Sequence, residues 1–245
     1  MSKQLDIDTS VCLHQQDLPL DLQTVWPGTR LPARLLRSTA DGRCRSAIVS
    51  SEAGSGFSTE TLDRPAIQIF VLEGALTIDG HEILANGFAV LGVSSSVLAT
   101  QDSSFILIVC GPDAEPPAEN TAFCIRDCNE IEPFVPVIDG KELTGFERRV
   151  LWLDKANGAD TRLLKIPGGF SGVGPNWHPV NEEIFCIAGD IQPDDTRPMG
   201  PGSYLFNPAN SIHGFNERTD GGCVLLEWHD GTWELITAPG AKQPV

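Results

Sequence analysis

Positive charge is scarce in this chain. Seventeen Lys and Arg stand against thirty-three Asp and Glu, giving a net charge of −16 and a pI near 4.5. Such a surface repels the phosphates of nucleic acid and of anionic lipid, so neither is expected as a partner. No apolar run approaches the length of a membrane span. The stretch Met1-Ser-Lys-Gln-Leu-Asp-Ile-Asp8 lacks an apolar signal core, which points to a cytoplasmic protein. Cysteines are scattered: Cys124 and Cys128 form a C-x3-C pair without a second pair, which argues against a zinc knuckle and for reduced, buried thiols. Capped helical periodicity is missing from every window of helical length. The glycine-rich stretch Gly168–Gly174 lacks the Lys-Ser/Thr ending and the helix of a phosphate loop.

What remains is rich in Gly and Pro, with Val, Ile, Leu and Phe in short runs. That composition predicts an all-β protein of many short strands joined by turns. A chain of 245 residues accommodates two domains of the usual size. Internal similarity favours two. At an offset of 115 residues Arg34 falls on Arg149, Leu36 on Leu151 and Gly54 on Gly169. Ile69-Phe70 falls on Ile184-Phe185, Gly74 on Gly189 and Gly87 on Gly202. The Pro- and acid-rich segment Gly111–Asn120 reads as the linker. The expected domains are residues 1–112 and 113–245, two tandem barrels from an internal duplication, small enough to close around one ligand.

The chemistry is concentrated in the second half. Asn176, His178 and Glu182 are separated by even steps, and Glu183 breaks the series. Side chains alternate along a strand, so these three are expected on one face, turned into a barrel, with Glu183 outside. His213 follows after a Gly/Pro turn formed by Pro208 and Asn210 and completes the cluster from a neighbouring strand. Two imidazoles and a carboxylate suit a borderline-hard divalent metal, and three protein ligands leave positions open for substrate. Asn176 is placed beside that site, as a weak ligand or a hydrogen-bond partner of a bound water. Tyr204 shares a strand face with Phe206 and is expected to offer its hydroxyl to the pocket, or to be a core aromatic with a wet tip. His229 alternates with Glu227 and reads either as a partner of the ligands or as a substitute ligand. Trp177 and Trp228 read as barrel-wall packing, His14 and His81 as surface residues.

At the same offset Thr61, Asp63, Ile67 and Leu98 stand opposite Asn176, His178, Glu182 and His213. The first half is therefore expected to keep the barrel and lack the metal site.

These motifs resemble the cupin superfamily. His178, Glu182 and Gly189 match the second His, the Glu and the closing Gly of the first cupin motif. Gly202, Pro208 and His213 match the second motif, with Asn210 where Gly is usual and Asn176 where the first metal-binding His is expected. The wording Trp177-His-Pro-Val-Asn-Glu-Glu-Ile-Phe185 is similar to the ChrR-like cupin group and its bicupin relatives. The resemblance implies two double-stranded β-helix (jelly-roll) barrels and one divalent metal on His178, Glu182 and His213, with Fe(II) favoured and Zn, Mn or Ni also suited. It implies a dioxygenase-like oxidoreductase acting on a small oxygenated molecule, such as a diketone or phenolic ketone, and a homodimer. Two other readings stay open: a sensor of metal or a small ligand, and a Lewis-acid isomerase or hydrolase.

Overall fold

The structure is a computed structural model, and it describes residues 6–7, 10–26, 29–59, 66–110, 122–138 and 140–242. The expected linker Gly111–Asn120, Thr61, Asp63 and the first five residues lie outside the described residues. Two single turns, Gln15–Asp17 and Cys128–Glu130, are the only helical pieces among them; the rest of the regular structure is strand. Among the described residues no helix is long and apolar enough to cross a membrane.

The chain divides into two compact units, Gln15–Ile131 on the one hand and Met1–His14 with Glu132–Val245 on the other. The expected division at residue 112 is corrected at both ends. Strand Phe123–Ile125 pairs with Phe88–Leu91 and so belongs to the first unit. Strand Val11–His14 pairs with Ser203–Asn207 and so belongs to the second. Both segments satisfy the open edge of a sheet, whose unpaired N–H and C=O groups outweigh sequence proximity.

The Gln15–Ile131 unit is built on a seven-stranded sheet. Its order is Phe123–Ile125, Phe88–Leu91, Ile67–Glu73, Ser103–Val109, Cys44–Ser51, Thr29–Ser38, Asp21–Trp26. A four-stranded sheet includes Ala75–Ile78 and Ser96–Ala99. Between them lies one apolar core that includes Val49, Ile67, Ile69, Leu76, Ile78, Phe105 and Leu107.

The other unit is built on a six-stranded sheet in the order Glu147–Leu153, Asp160–Ile166, Cys223–His229, Glu182–Gly189, Ser203–Asn207, Val11–His14. Five of these strands follow the same order as their counterparts in the first unit. The offset is 115 residues from Ile67 to Glu182 and from Phe88 to Ser203, but 120 from Ser103 to Cys223. The longer connection thus falls after His213 and contains Glu217.

Alternation divides this barrel lengthwise. Leu164, Ile166, Cys186, Leu205, Cys223 and Leu225 form an apolar floor with Phe146, Ile191 and Met199. Nearer the other end the same strands turn Arg162, Glu182, Asn207, Glu227 and His229 inward, all buried. All seven cysteines are free thiols, and burial pushes Cys124 and Cys186 up to about 11.

Candidate metal centre

His178, Glu182 and His213 come together, each buried, with one ligand atom apiece lying within 4.8 Å of the others. Among the described residues no other such group forms. They converge by a route the alternation argument did not foresee. Asn176–Trp177 is a two-residue strand paired with Ile236–Thr237. Residues 178–181 then leave the sheet, where Pro179 has no N–H to offer a ladder, and Glu182 opens the next strand. Three side chains from two strands and a break thus converge where one continuous strand face was expected.

Backbone pairing fixes the second histidine. Asn176 N–H donates to the His213 carbonyl and His213 N–H to the Asn176 carbonyl, both at 2.9 Å. The turn closes by Ser211 N–H donating to the Pro208 carbonyl at 3.0 Å, and Asn210 N–H donates to the His178 carbonyl at 2.7 Å. Asn210 has φ of 65°, the left-handed region that favours Gly and that Asn tolerates best among other residues. Asn therefore serves where the motif usually has Gly.

The tautomers follow from the partners. His178 Nδ1 lies 2.8 Å from the Glu234 carbonyl and His213 Nδ1 3.1 Å from the Ser211 carbonyl. A carbonyl oxygen only accepts, so each Nδ1 donates to its carbonyl and each Nε2 is turned toward the centre. Those two Nε2 atoms face each other at 3.1 Å. Glu182 Oε2 lies 3.5 Å from the first and 3.7 Å from the second. Two imidazole nitrogens and a carboxylate oxygen thus converge on one spot, a donor set that suits a cation. Metal–ligand bonds of ~2.1 Å put tetrahedral neighbours ~3.4 Å apart, so the observed spacings fit.

Glu182 is held by several donors. Asn207 Nδ2 donates to Oε2 at 2.8 Å and Trp233 Nε1 to Oε1 at 2.9 Å. His229 Nε2 reaches Oε1 at 3.2 Å, and its Nδ1 reaches Asp160 Oδ1 at 2.7 Å. Burial opposes the carboxylate charge, but the nearby His178 and the His229 bond hold Glu182 well below the usual range. Burial and Arg162 push the His229 imidazole down, yet the bonds to Asp160 and Glu182 outweigh them and raise it. His229 therefore orients Glu182, and with both ring nitrogens occupied it does not replace the missing histidine. Arg162 is locked to Glu227 at 2.8 Å and to Asp160 at 3.3 Å.

Asn176 lines the same cavity. Its Nδ2 donates to the Gly174 carbonyl at 3.0 Å, which leaves the amide oxygen as the atom with lone pairs to offer. Tyr204 is corrected. It lies on the strand face opposite Leu205 and Asn207, buried against Trp228, and its hydroxyl donates to Glu183 Oε2 at 2.6 Å. The alternation that sends Asn207 in sends Tyr204 out, so its hydroxyl does not reach the centre.

Several groups at the site were not singled out from sequence. Trp233 stacks on His178 at 4.8 Å between ring centres. Asn207 precedes the motif Pro208 and sits two residues after inward-facing Leu205, a period-two signal that was available. Arg148 and Glu217 also line the cavity, of about 120 Å³, among Leu143, Phe146, Phe170 and other apolar side chains. Burial, then the charges of Glu182 and Glu227, push the Glu217 carboxyl up to about 7.

The family model described as the ChrR Cupin-like domain matches residues 131–230, which include all three ligands. Over that stretch, residues 131–230, the chain is similar to a cupin domain. A candidate dioxygenase from Nostoc punctiforme shares this cupin fold at TM-score 0.71 and 16% identity, covering 96% of this chain and 87% of its own. The Escherichia coli protein Ylba does so at TM-score 0.63 and 12% identity, covering 93% and 94%. A variant of Bacillus subtilis oxalate decarboxylase gives TM-score 0.58 and 13% identity, covering 92% and 78%. No curated relative matches the sequence significantly.

Proposed function

We propose that the C-terminal barrel of this cupin is a mononuclear metal enzyme, a non-heme Fe(II) dioxygenase acting on a small oxygenated organic molecule. The observation that carries this is the convergence of one ligand atom each from His178, Glu182 and His213 to within 4.8 Å of one another. Two His and one carboxylate with open positions is the ligand set of non-heme iron oxygenases. Iron held by His178, Glu182 and His213 would supply the activation of dioxygen toward the substrate. The protein's part is to orient and to exclude water. Asn207, Trp233 and His229 fix Glu182, while the apolar floor keeps the reacting groups dry. The Nostoc likeness supports this reading at the level of fold. The expected assembly is a cytoplasmic homodimer whose partner is the small substrate.

The test is oxygen uptake by Fe(II)-loaded protein with a panel of diketones and phenolic ketones. Uptake that depends on substrate and disappears in Glu182→Ala supports the proposal. A loaded protein that consumes no oxygen with any of them refutes the dioxygenase. Asn176→Ala is expected to keep most of the metal; full loss would make Asn176 a ligand.

Glu217 favours a second reading. A carboxyl that titrates near neutrality inside the cavity is suited to moving protons. With redox-inert Zn, Mn or Ni on the same ligands, isomerisation or hydrolysis is the matching chemistry. Turnover with zinc, lost in Glu217→Gln, would select this reading.

A further inference from the structure

The cavity's charges can be accounted for one by one. Arg162 is bonded to Glu227 and Asp160, and Arg197 is paired with Asp194. Glu182 faces the two imidazoles. Arg148 is left. Its backbone is tied to Phe134 on both sides, which fixes where the side chain starts. Its Nε is buried without a hydrogen-bond partner, and its guanidinium forms no ion pair among the described residues. Burial, and the like charge of Arg162, push this guanidinium down from its ordinary value. Arg148 is half-buried, and a buried donor within it that lacks a partner is costly.

The surroundings say what would relieve it. Arg148 Cζ and the His178 ring lie 5.8 and 4.8 Å from the same Trp233 ring centre, so the guanidinium is under 11 Å from the centre's first imidazole. A few carbon–carbon bonds span that distance. The wall alongside is apolar, with Phe146 and Phe170 packed edge to face at 5.0 Å. A planar guanidinium is shaped for a carboxylate.

We infer that Arg148 is the anchor for the carboxylate of the substrate, which is a small organic acid with an apolar body whose other end reaches His178, Glu182 and His213. This deepens the proposed function and rests on it for the metal end alone. The anchor has its own readout, because it is a binding site whether or not a metal is held.

The test is titration calorimetry of the full-length protein with hexanoate, a carboxylate on a short apolar chain, against hexanamide, which has the same shape without the charge. Hexanoate is expected to bind and hexanamide to bind at least about tenfold more weakly. Arg148→Gln should weaken hexanoate by about 10- to 100-fold, the loss of a charged hydrogen bond, while Arg148→Lys recovers part of it. Arg43→Gln, at an exposed arginine of the other unit, should leave hexanoate binding within about twofold. Thermal melting confirms that each variant is folded. No hexanoate binding, or equal affinity in Arg148→Gln, overturns the inference. Loss in His213→Ala with Arg148→Gln unaffected overturns it as well, because the carboxylate then binds at the metal. Hexanoate binding through Arg148 in a protein that holds no metal would refute the metal reading and leave the anchor standing.

Discussion

At the residue scale the account rests on which nitrogen carries the proton. Backbone carbonyls at Glu234 and Ser211 settle that for both histidines, and Asn207 and Trp233 settle the rotation of Glu182. Removing such a support costs roughly 10- to 100-fold in metal affinity. Asn207→Ala is therefore expected to weaken metal binding by that factor in a competition titration while the protein stays folded. Unchanged affinity would show that Glu182 needs no such support. Glu217 gives a pH prediction. Its folded value of about 7 lies above the ordinary 4.5, so the folded state holds the proton more tightly than the unfolded one. That stabilisation is complete below about pH 4.5 and is lost as pH rises through 7. In metal-free protein, Glu217→Gln should match the wild type near pH 5 and exceed it by up to about 3 kcal/mol at pH 8. The comparison is made by urea melts at both pH values. A difference that does not grow with pH would contradict the assigned environment.

At the element scale, strand Val11–His14 has two duties. It covers the edge of Ser203–Asn207, and just before it Ser10 Oγ donates to Asn207 Oδ1 at 2.6 Å. The N-terminal segment thus helps to aim the residue that holds Glu182. Deleting residues 1–14 should remove about 2–4 kcal/mol of pairing, lower the melting temperature by roughly 4–16 °C and weaken metal binding. Wild-type melting of the truncated chain would contradict this. Much of the barrel was legible in the sequence. The alternating Glu227 and His229 fall on the observed strand Cys223–His229, and Gly189 and Gly202, aligned by the repeat, flank the connection between Glu182–Gly189 and Ser203–Asn207. The two motifs carried His178, Glu182 and His213. The break at residues 178–181 was not legible, because even spacing looks the same whether a strand runs on or stops. Nor were Trp233 and Arg148, which reach the cavity from elements with no motif. Tyr204 was misplaced because its strand had two buried faces, and burial of both hides which one is inside.

At the scale of the whole molecule, the two units share a strand order and differ in what fills them. Where the second barrel has Glu182 the first has Ile67, fully buried in an aliphatic core. Where the second has His213 the first has Leu98, 46% exposed and so turned away from the interior. One metal per chain is therefore the expected stoichiometry. Ile67→Glu is expected to destabilise the protein by about 3 kcal/mol or more, as an unpaired buried charge does, and to add no metal. A second equivalent in that variant would show that the first barrel keeps a latent site.

The central claim is that His178, Glu182 and His213 in the second barrel hold one divalent cation. The most direct measurement is the metal content of the full-length protein after loading and desalting, beside His213→Ala. The account predicts about one equivalent per chain in the wild type and a sharp loss in the folded variant. A wild type that retains no metal, or a His213→Ala protein that retains as much as the wild type, would contradict it.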